Sequence, residues 1–291
     1  MNLYRYISFE NFMSLLIEKK ERYVRPITWD DKYEGLVYNF LDSDKQRDLL
    51  LEIYKNICPR NYYATIDNYF RYWYAKYWTY AQSWTKLKES DAMWRIYSYG
   101  NHSIQIQTTE ESITKLLQDN FNEGDNKITK EIREIKYDLL TEEDVIKQHI
   151  EQTQKTLDVY EPYFHKRKAF EHEKEYRVVV VDKTLYFATQ LSSFGAKYNF
   201  KQENLDNCDD EKIVDEIMSQ INKQRIDWTK EVIDGVPNAI YAEITDLSEY
   251  IKKVTVNPFA EDWFVDLVKK ICMQYGVEEK FAGKSKLYEK P

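Results

Sequence analysis

Alternating apolar and polar positions mark short strands along much of the chain. The clearest case is residues 102–107, where Ile104 and Ile106 fall on one side of a strictly alternating run. An aromatic-rich opening at residues 3–7 predicts another strand. Phe9, Phe12, Leu15 and Leu16 are spaced for one helix face, which predicts a helix from an N-cap at Ser8 to about residue 20. Similar patterns predict strands at residues 22–27, 80–85, 134–140, 239–244 and 251–256, and helices after Thr109 and over residues 263–275.

Two longer stretches are expected to be helical. Residues 44–80 form an aromatic-rich stretch, and over residues 69–78 aromatic side chains fall on both helix faces. A second, less regular helical segment is expected at about 200–230. Because strands are scattered among helices, we predict a single α+β domain over residues 1–291, with a mixed, mainly antiparallel sheet and these two helical insertions.

Titratable residues lead directly into the most apolar run of the chain. If residues 171–181 form one strand, Glu171, Glu173, Glu175 and Arg177 share a face. Neighbouring carboxylates repel each other and raise each other's proton affinity, a cost that a site needing an anionic group can use. The alternative is a solvated strand end at which Arg177 neutralises the glutamates.

Composition narrows the function classes. The chain has 50 acidic and 42 basic residues, for a net charge of −8, which excludes a uniformly basic surface but allows a local basic groove. No G-x-G-x-x-G or G-x-x-x-x-G-K-[ST] occurs, so a nucleotide must be held by other means. Cys58, Cys208 and Cys272 are too far apart in sequence to indicate a disulfide framework or a zinc cluster. No membrane span or secretion signal is visible, and a cytoplasmic protein without a metal is expected.

Four short motifs carry a resemblance to a known family. They are Leu-Tyr-Arg-Tyr at 3–6, Trp-Asp-Asp-Lys-Tyr-Glu at 29–34, Met-Trp-Arg-Ile-Tyr at 93–97 and Glu-Lys-Glu-Tyr-Arg at 173–177. In order and spacing, over nearly the whole chain, they resemble a bacterial family catalogued only as a domain of unknown function. Asp30 and Lys32 depart from that family, which has Asn and Pro in this turn. The family supplies no activity.

A more distant likeness does supply an activity. An early strand arginine, a strand serine and a late Glu-x-Glu resemble the R-S-E layout of ADP-ribosyltransferases, which implies an ADP-ribosyltransferase-like sheet and NAD as substrate. By this resemblance Arg5 would support the NAD phosphates and ribose, Ser83 with Thr85 would be the serine-bearing strand, and Glu173 with Glu175 would be the Glu-x-Glu pair.

The chemistry of NAD cleavage suits these residue types. Loss of nicotinamide leaves an oxocarbenium-like ribose, which a carboxylate stabilises. Glu175, nearer the core, would hold the ribose hydroxyl and stabilise that charge, and Glu173 would orient or deprotonate the acceptor. Arg5 would clamp the pyrophosphate, and Tyr97 could stack on nicotinamide. The resemblance implies a bacterial toxin or phage-defence effector that modifies protein or nucleic acid and is held by a neutralising antitoxin or other partner.

Two alternatives stay open. One is a non-enzymatic interaction module that binds a partner protein or nucleic acid through residues 69–78, with Trp73 and Tyr77 as anchors. The other is a metal-dependent nuclease that uses Asp31, Glu34 and Glu173. Each site residue also has a structural reading; Arg5, for example, could simply pair with Glu34 or Glu175. The enzymatic hypothesis requires Arg5, Ser83 and Glu175 to share one cleft.

Overall fold

The computed structural model describes residues 1–39, 75–97, 100–121, 128–139, 141, 158–182 and 235–289. These residues form an α+β fold with a mainly antiparallel mixed sheet, as predicted. The strands are β1 (Asn2–Ser8), β2 (Lys20–Val24), β3 (Thr79–Thr85), β4 (Ser103–Thr109), β5 (Ile128–Glu134), β6 (Lys136–Leu139), β7 (His165–Arg167), β8 (Glu175–Asp182), β9 (Ala239–Glu243), β10 (Lys253–Val256) and β11 (Phe281–Lys284). The helices are α1 (Phe9–Glu18), α2 (Leu36–Asn39), α3 (Asp91–Ile96), α4 (Glu110–Asn120), α5 (Leu247–Tyr250) and α6 (Asp262–Gln274).

The main sheet has a sparsely paired line between β1 and β3, which we call the seam. On one side of the seam the order is β11-β10-β4-β1, and β1 pairs with β4 along its whole length. On the other side β3 pairs with β8 over seven residues. Across the seam β1 meets β3 at a single pair, Tyr4 with Thr85, and β2 meets β3 further along at Val24 with Ala81. Because β8 occupies one edge of β3, β1 and β2 share the other edge.

Local sequence accounts for several elements. The Ser8 hydroxyl accepts the Asn11 N–H at 3.3 Å and caps α1, and the Thr109 hydroxyl accepts the Ser112 N–H at 3.1 Å and caps α4, both as predicted. Gly276 ends α6 with a φ of +73°, a left-handed conformation that suits glycine. The valines of β8 are buried, so this strand belongs to the centre of the core.

The predicted continuous strand through residues 171–181 is wrong at its start. Residues Lys168–Glu173 form a 3-10 helix, Lys174 has a left-handed φ of 43°, and β8 begins only at Glu175. The exposed Glu171 pairs with Lys174 and does not share a strand face with Glu173. The cause is local, since one left-handed residue breaks the two-residue alternation of side chains.

Other boundaries also differ from the prediction. The strand expected at 22–27 stops at Val24, because Pro26 opens a 3-10 helix, Pro26–Thr28. β5, which ends where the strand expected at 134–140 begins, was not predicted, because its side chains are half-buried on both faces and so show no apolar alternation. β11 and the short β7 were not predicted, since each has only three or four residues.

Most of the two predicted helical insertions lies outside the described residues. So do Trp73, Cys58 and Cys208. Residues 75–78 form a helical turn whose Tyr77 and Trp78 are buried in the core, so this end of the aromatic stretch is packed rather than exposed. Among the helices that the structure describes, none combines the length and apolar character needed to cross a membrane.

Candidate functional site

A small cleft opens beside the seam, where β1 and β3 diverge. Its volume is about 70 Å³. All six residues singled out from the sequence line it, although they come from β1, β3, β8, the end of α3 and the 3-10 helix before β8. The full lining is Tyr4, Arg5, Tyr6, Ser83, Trp84, Thr85, Met93, Tyr97, Lys166, Glu173 and Glu175.

Glu175 is the most tightly held acidic group of the cleft. It is 3% exposed, and it accepts a hydrogen bond of 2.5 Å from the Ser83 hydroxyl on the neighbouring strand. Its carboxylate lies 2.6 Å from Arg177 Nε and 3.2 Å from Lys166 Nζ. Burial alone would raise the pKa of Glu175, but the charges of Arg177 and Lys166 outweigh it and hold the pKa below its usual value. Glu175 is therefore ionised at neutral pH.

Lys166 links three carboxylates. Its Nζ lies 2.6 Å from Glu173, 3.2 Å from Glu175 and 3.3 Å from Glu34, and its side chain is almost fully buried. Burial lowers the pKa of Lys166, but the three carboxylates raise it above the ordinary lysine value. Lys166 therefore stays charged and holds the acidic groups in a fixed arrangement.

Glu34 balances the other cation of this cluster. It pairs with Arg177 at 2.5 Å, and Arg177 also donates to the Tyr163 carbonyl oxygen at 2.6 Å. Burial raises the pKa of Glu34, although Arg177 and Lys166 counter it. With Glu173 and Glu175, the cluster sets three carboxylates against two cations. One acidic group is thus in excess in this buried cluster, of which Lys166, Glu173 and Glu175 line the cleft.

Glu173 reaches the same cleft by the left-handed turn at Lys174. This turn brings both Glu173 and Glu175 to Lys166, although Glu173 precedes the strand. The Tyr97 hydroxyl donates to Glu173 at 3.3 Å, and the Thr85 hydroxyl donates to the Glu173 carbonyl at 2.6 Å. Thr85 therefore positions the backbone of Glu173, whereas Tyr97, which is 41% exposed, stands at the mouth.

Arg5 lines the cleft but already has a partner. Its two terminal nitrogens lie 2.8 and 3.0 Å from Glu21, and its guanidinium stacks 4.7 Å from the Trp84 ring centre. The alternative interpretation, in which Arg5 forms a structural ion pair with Glu34 or Glu175, is therefore wrong about the partner, which is Glu21. Arg5 Nε is buried and has no hydrogen-bond acceptor among the described residues. Orphaned buried donors are rare in folded proteins, so this N–H is a candidate ligand contact.

Three residues that line the cleft or hold its lining residues in place, Lys166, Glu21 and Tyr137, were not predicted from the sequence. Lys166 lies in a Lys-Arg-Lys run without periodicity, and Glu21 lies on a strand whose partner was unknown. The Tyr137 hydroxyl, which accepts the Glu175 N–H at 2.6 Å, had no signal either. The usable signal was indirect: glutamates at the start of a buried strand need a buried cation nearby. Arg177 does contact Glu175, as the neutralising reading expected.

The carboxylates of the nuclease alternative are engaged by cations. Asp31 lies 3.1 Å from Arg167, while Glu34 and Glu173 both contact Lys166. Within the described ranges, no group of three histidine, cysteine or acidic side chains is arranged to hold a metal ion.

In the comparison with known proteins, a family model matches part of the chain. Residues 93–178 match a family model described as a protein of unknown function (DUF2971). The matched region includes the motifs at 93–97 and 173–177 and leaves out those at 3–6 and 29–34, so the family resemblance is supported over a shorter stretch than the motifs span. Neither the curated proteins nor the solved structures contain a match to this chain.

Proposed function

We propose that this protein is an NAD-dependent ADP-ribosyltransferase. The observation that carries the proposal is the convergence of Arg5, Ser83 and Glu175 on one cleft. These residues come from three strands and are separated by up to 170 positions in the sequence. Nevertheless, the Ser83 hydroxyl donates a hydrogen bond directly to the Glu175 carboxylate. The three residue types that suit NAD cleavage therefore lie together in the same cleft.

The arrangement around Glu175 suits the transition state of NAD cleavage. In the reaction, the bond between ribose C1′ and the nicotinamide nitrogen breaks, and its electron pair leaves with the ring. Positive charge develops on the ribose, where a carboxylate held by Ser83, Arg177 and Lys166 stabilises it with little reorganisation. An acceptor atom then bonds to C1′, and its proton passes to Glu173.

The size of the cleft limits how NAD enters. Pockets that enclose a whole drug-sized ligand measure about 300–1,000 Å³, whereas this cleft measures about 70 Å³. The proposal therefore places only the nicotinamide end inside, next to Tyr97. The rest of the dinucleotide lies along the surface.

Arg5 has a narrower role than a two-pronged phosphate clamp. Glu21 takes one N–H from each of the two terminal nitrogens, and Nε is the nitrogen of this guanidinium that is buried without an acceptor among the described residues. A single hydrogen bond to a ribose or phosphate oxygen fits this geometry. The Arg5 and Glu21 pair therefore acts mainly by fixing the wall of the cleft.

Incubation of the purified protein with NAD labelled in its adenylate half tests the proposal. Nicotinamide release and label transfer are measured with and without cell extract as a source of acceptors. We expect release in both samples and label on a macromolecule in the second. If the wild-type protein neither binds NAD by calorimetry nor releases nicotinamide, the proposal is refuted. The toxin or defence context and a neutralising partner rest on the family resemblance and belong to the same proposal.

A further inference from the structure

A second and larger hollow lies next to the cleft. Its volume is about 420 Å³, and it lies over β4, β10 and β11. Tyr4 lines both cavities, so the two adjoin. Lys88, Lys253, Lys284 and Lys286 line the larger hollow.

The lysines of the hollow are largely uncompensated. Among the described residues, Lys88, Lys253 and Lys284 have no carboxylate within ion-pair distance, and Lys286 reaches only the exposed Glu289 at 3.5 Å. The one acidic residue of the lining, Glu89, accepts hydrogen bonds from Ser285 at 2.8 and 2.9 Å. Four cations against one anion leave a local charge of about +3, on a chain with a net charge of −8. Such a concentration of positive charge attracts a phosphate-bearing ligand.

Two partly exposed aromatic residues, Phe259 and Tyr288, lie within four residues of lining residues of this lysine-lined hollow. Tyr288 is 53% exposed and its ring centre lies 5.0 Å from that of Phe259, which is 39% exposed and already carries the Arg95 guanidinium over its ring at 5.0 Å. Tyr288 follows Ser285 and Lys286 of the lining by two or three residues. A positively charged groove beside exposed rings is the combination that binds single-stranded nucleic acid, with phosphates on the cations and bases on the rings.

We infer that the acceptor is a single-stranded nucleic acid that binds across this lysine-lined hollow. Duplex bases are stacked and cannot reach the two rings, which favours a single strand. The role as acceptor rests on the proposed function, whereas binding of the strand does not. In the transfer, ribose C1′ exchanges its bond to the nicotinamide nitrogen for a bond to an oxygen or nitrogen of the strand, whose proton passes to Glu173.

Salt-dependent binding tests the electrostatic part. The probe is fluorescein-labelled oligothymidylate of about 12 nucleotides, within the usual site sizes, measured by anisotropy without NAD. The variant is Lys253→Gln with Lys284→Gln, and the control is Lys252→Gln, whose ammonium donates to the Glu249 carbonyl outside the hollow. Each lost phosphate contact makes the negative slope of log K against log salt shallower by about 0.7. The double variant is therefore expected to lose about sevenfold less affinity than the control between about 50 and 200 mM salt.

Ring substitution tests the stacking part. Tyr288→Leu removes the ring. Tyr288→Phe keeps the ring and removes only the hydroxyl, which donates a hydrogen bond to Asp91. We expect Tyr288→Leu to weaken binding about fivefold or more, because stacking on one base contributes at least that factor. Tyr288→Phe is expected to bind like wild type.

The outcomes separate this inference from the proposed function. Absence of oligonucleotide binding by wild type, or equal salt slopes for the double variant and Lys252→Gln, overturns the inference and leaves NAD cleavage standing. Competitive displacement of the oligonucleotide by NAD also overturns it, because the hollow would then belong to the dinucleotide. Strand binding that depends on Lys253 and Lys284 in a protein that never releases nicotinamide supports the binding surface and refutes the enzymatic proposal alone.

Discussion

Glu175→Gln is the substitution that most directly probes the proposed chemistry. It keeps the size of the side chain and one carbonyl oxygen but removes the charge beside the ribose. Loss of one well-placed electrostatic group from a transition state lowers turnover about 100- to 1,000-fold. We therefore expect nicotinamide release to fall at least about 100-fold.

The structure also sets the expected stability loss. Glu175 is buried and contacts Arg177 at 2.6 Å and Lys166 at 3.2 Å. Both cations keep other carboxylate partners, Glu34 for Arg177 and Glu34 and Glu173 for Lys166. No cation is left alone, so the loss is about 2 kcal/mol, typical of hydrogen bonds to charged groups, rather than the larger loss when a buried pair is broken. For a chain of 291 residues, with an unfolding entropy of about 2.1 cal/mol/K per residue, the melting temperature is then lowered by about 3 °C.

Glu161→Gln is the matched control for this loss. Glu161 is also a buried carboxylate, 8% exposed, with Lys136 at 2.5 Å and His165 at 2.9 Å, but it does not line the cleft. Nicotinamide release and thermal unfolding are measured for both variants, with release assayed well below the lower melting temperature. We expect both variants to be less stable and only Glu175→Gln to lose turnover. If folded Glu175→Gln retains turnover within about threefold of wild type, far from the expected effect, Glu175 is not the catalytic carboxylate.

Three further predictions concern stability. Lys166→Met leaves its carboxylates facing one another and is expected to cost about 3–5 kcal/mol in urea unfolding; a loss below about 1 kcal/mol would contradict the linking role assigned to this lysine. The hydrogen bond from His165 lowers the pKa of Glu161 from 4.5 to about 2 although burial raises it. The stability that this carboxylate contributes is therefore complete above pH 4.5 and is lost as the pH falls towards about 2. In thermal scans over that interval, the melting temperature of Glu161→Gln should fall less with decreasing pH than that of the wild-type protein. Gly35→Ala places a Cβ 2.7 Å from the Tyr163 ring at a φ of +68°, whereas at Gly276 φ is +73° and nothing lies within 4 Å of a Cβ. Gly35→Ala should therefore lower the free energy of unfolding clearly more than Gly276→Ala. Equal losses would show that the left-handed backbone conformation alone determines the cost.

Elements with regular side-chain periodicity were predictable from the sequence. β4 and α1 followed from apolar spacing, and the starts of α1 and α4 followed from the caps at Ser8 and Thr109, because these signals act within a few residues. β5 was not predicted, since it is stabilised by pairing with β8 and its own side chains are half-buried on both faces.

The cleft was predictable in its residue types and not in its contacts. The choice of Arg5, Ser83 and Glu175 followed from the resemblance to the R-S-E layout of ADP-ribosyltransferases, and all three line the cavity. The sequence could not reveal that Glu21 holds Arg5 or that Lys166 joins the carboxylates, because long-range pairing decides which buried charges meet. Their partners depend on strand register and on a turn at Lys174 that breaks the local rule.

The single backbone pair between Tyr4 and Thr85 makes the entrance to the cleft compliant. Parting the strands there breaks few hydrogen bonds, at about 1 kcal/mol each, while the fully paired β3 and β8 remain rigid. A bound molecule larger than the empty cleft is therefore expected to widen this entrance rather than separate β3 from β8. The carboxylate floor keeps its geometry through the paired β3 and β8, whereas widening of the entrance is opposed mainly by side chains, since Glu21 contacts both Arg5 of β1 and Gln82 of β3.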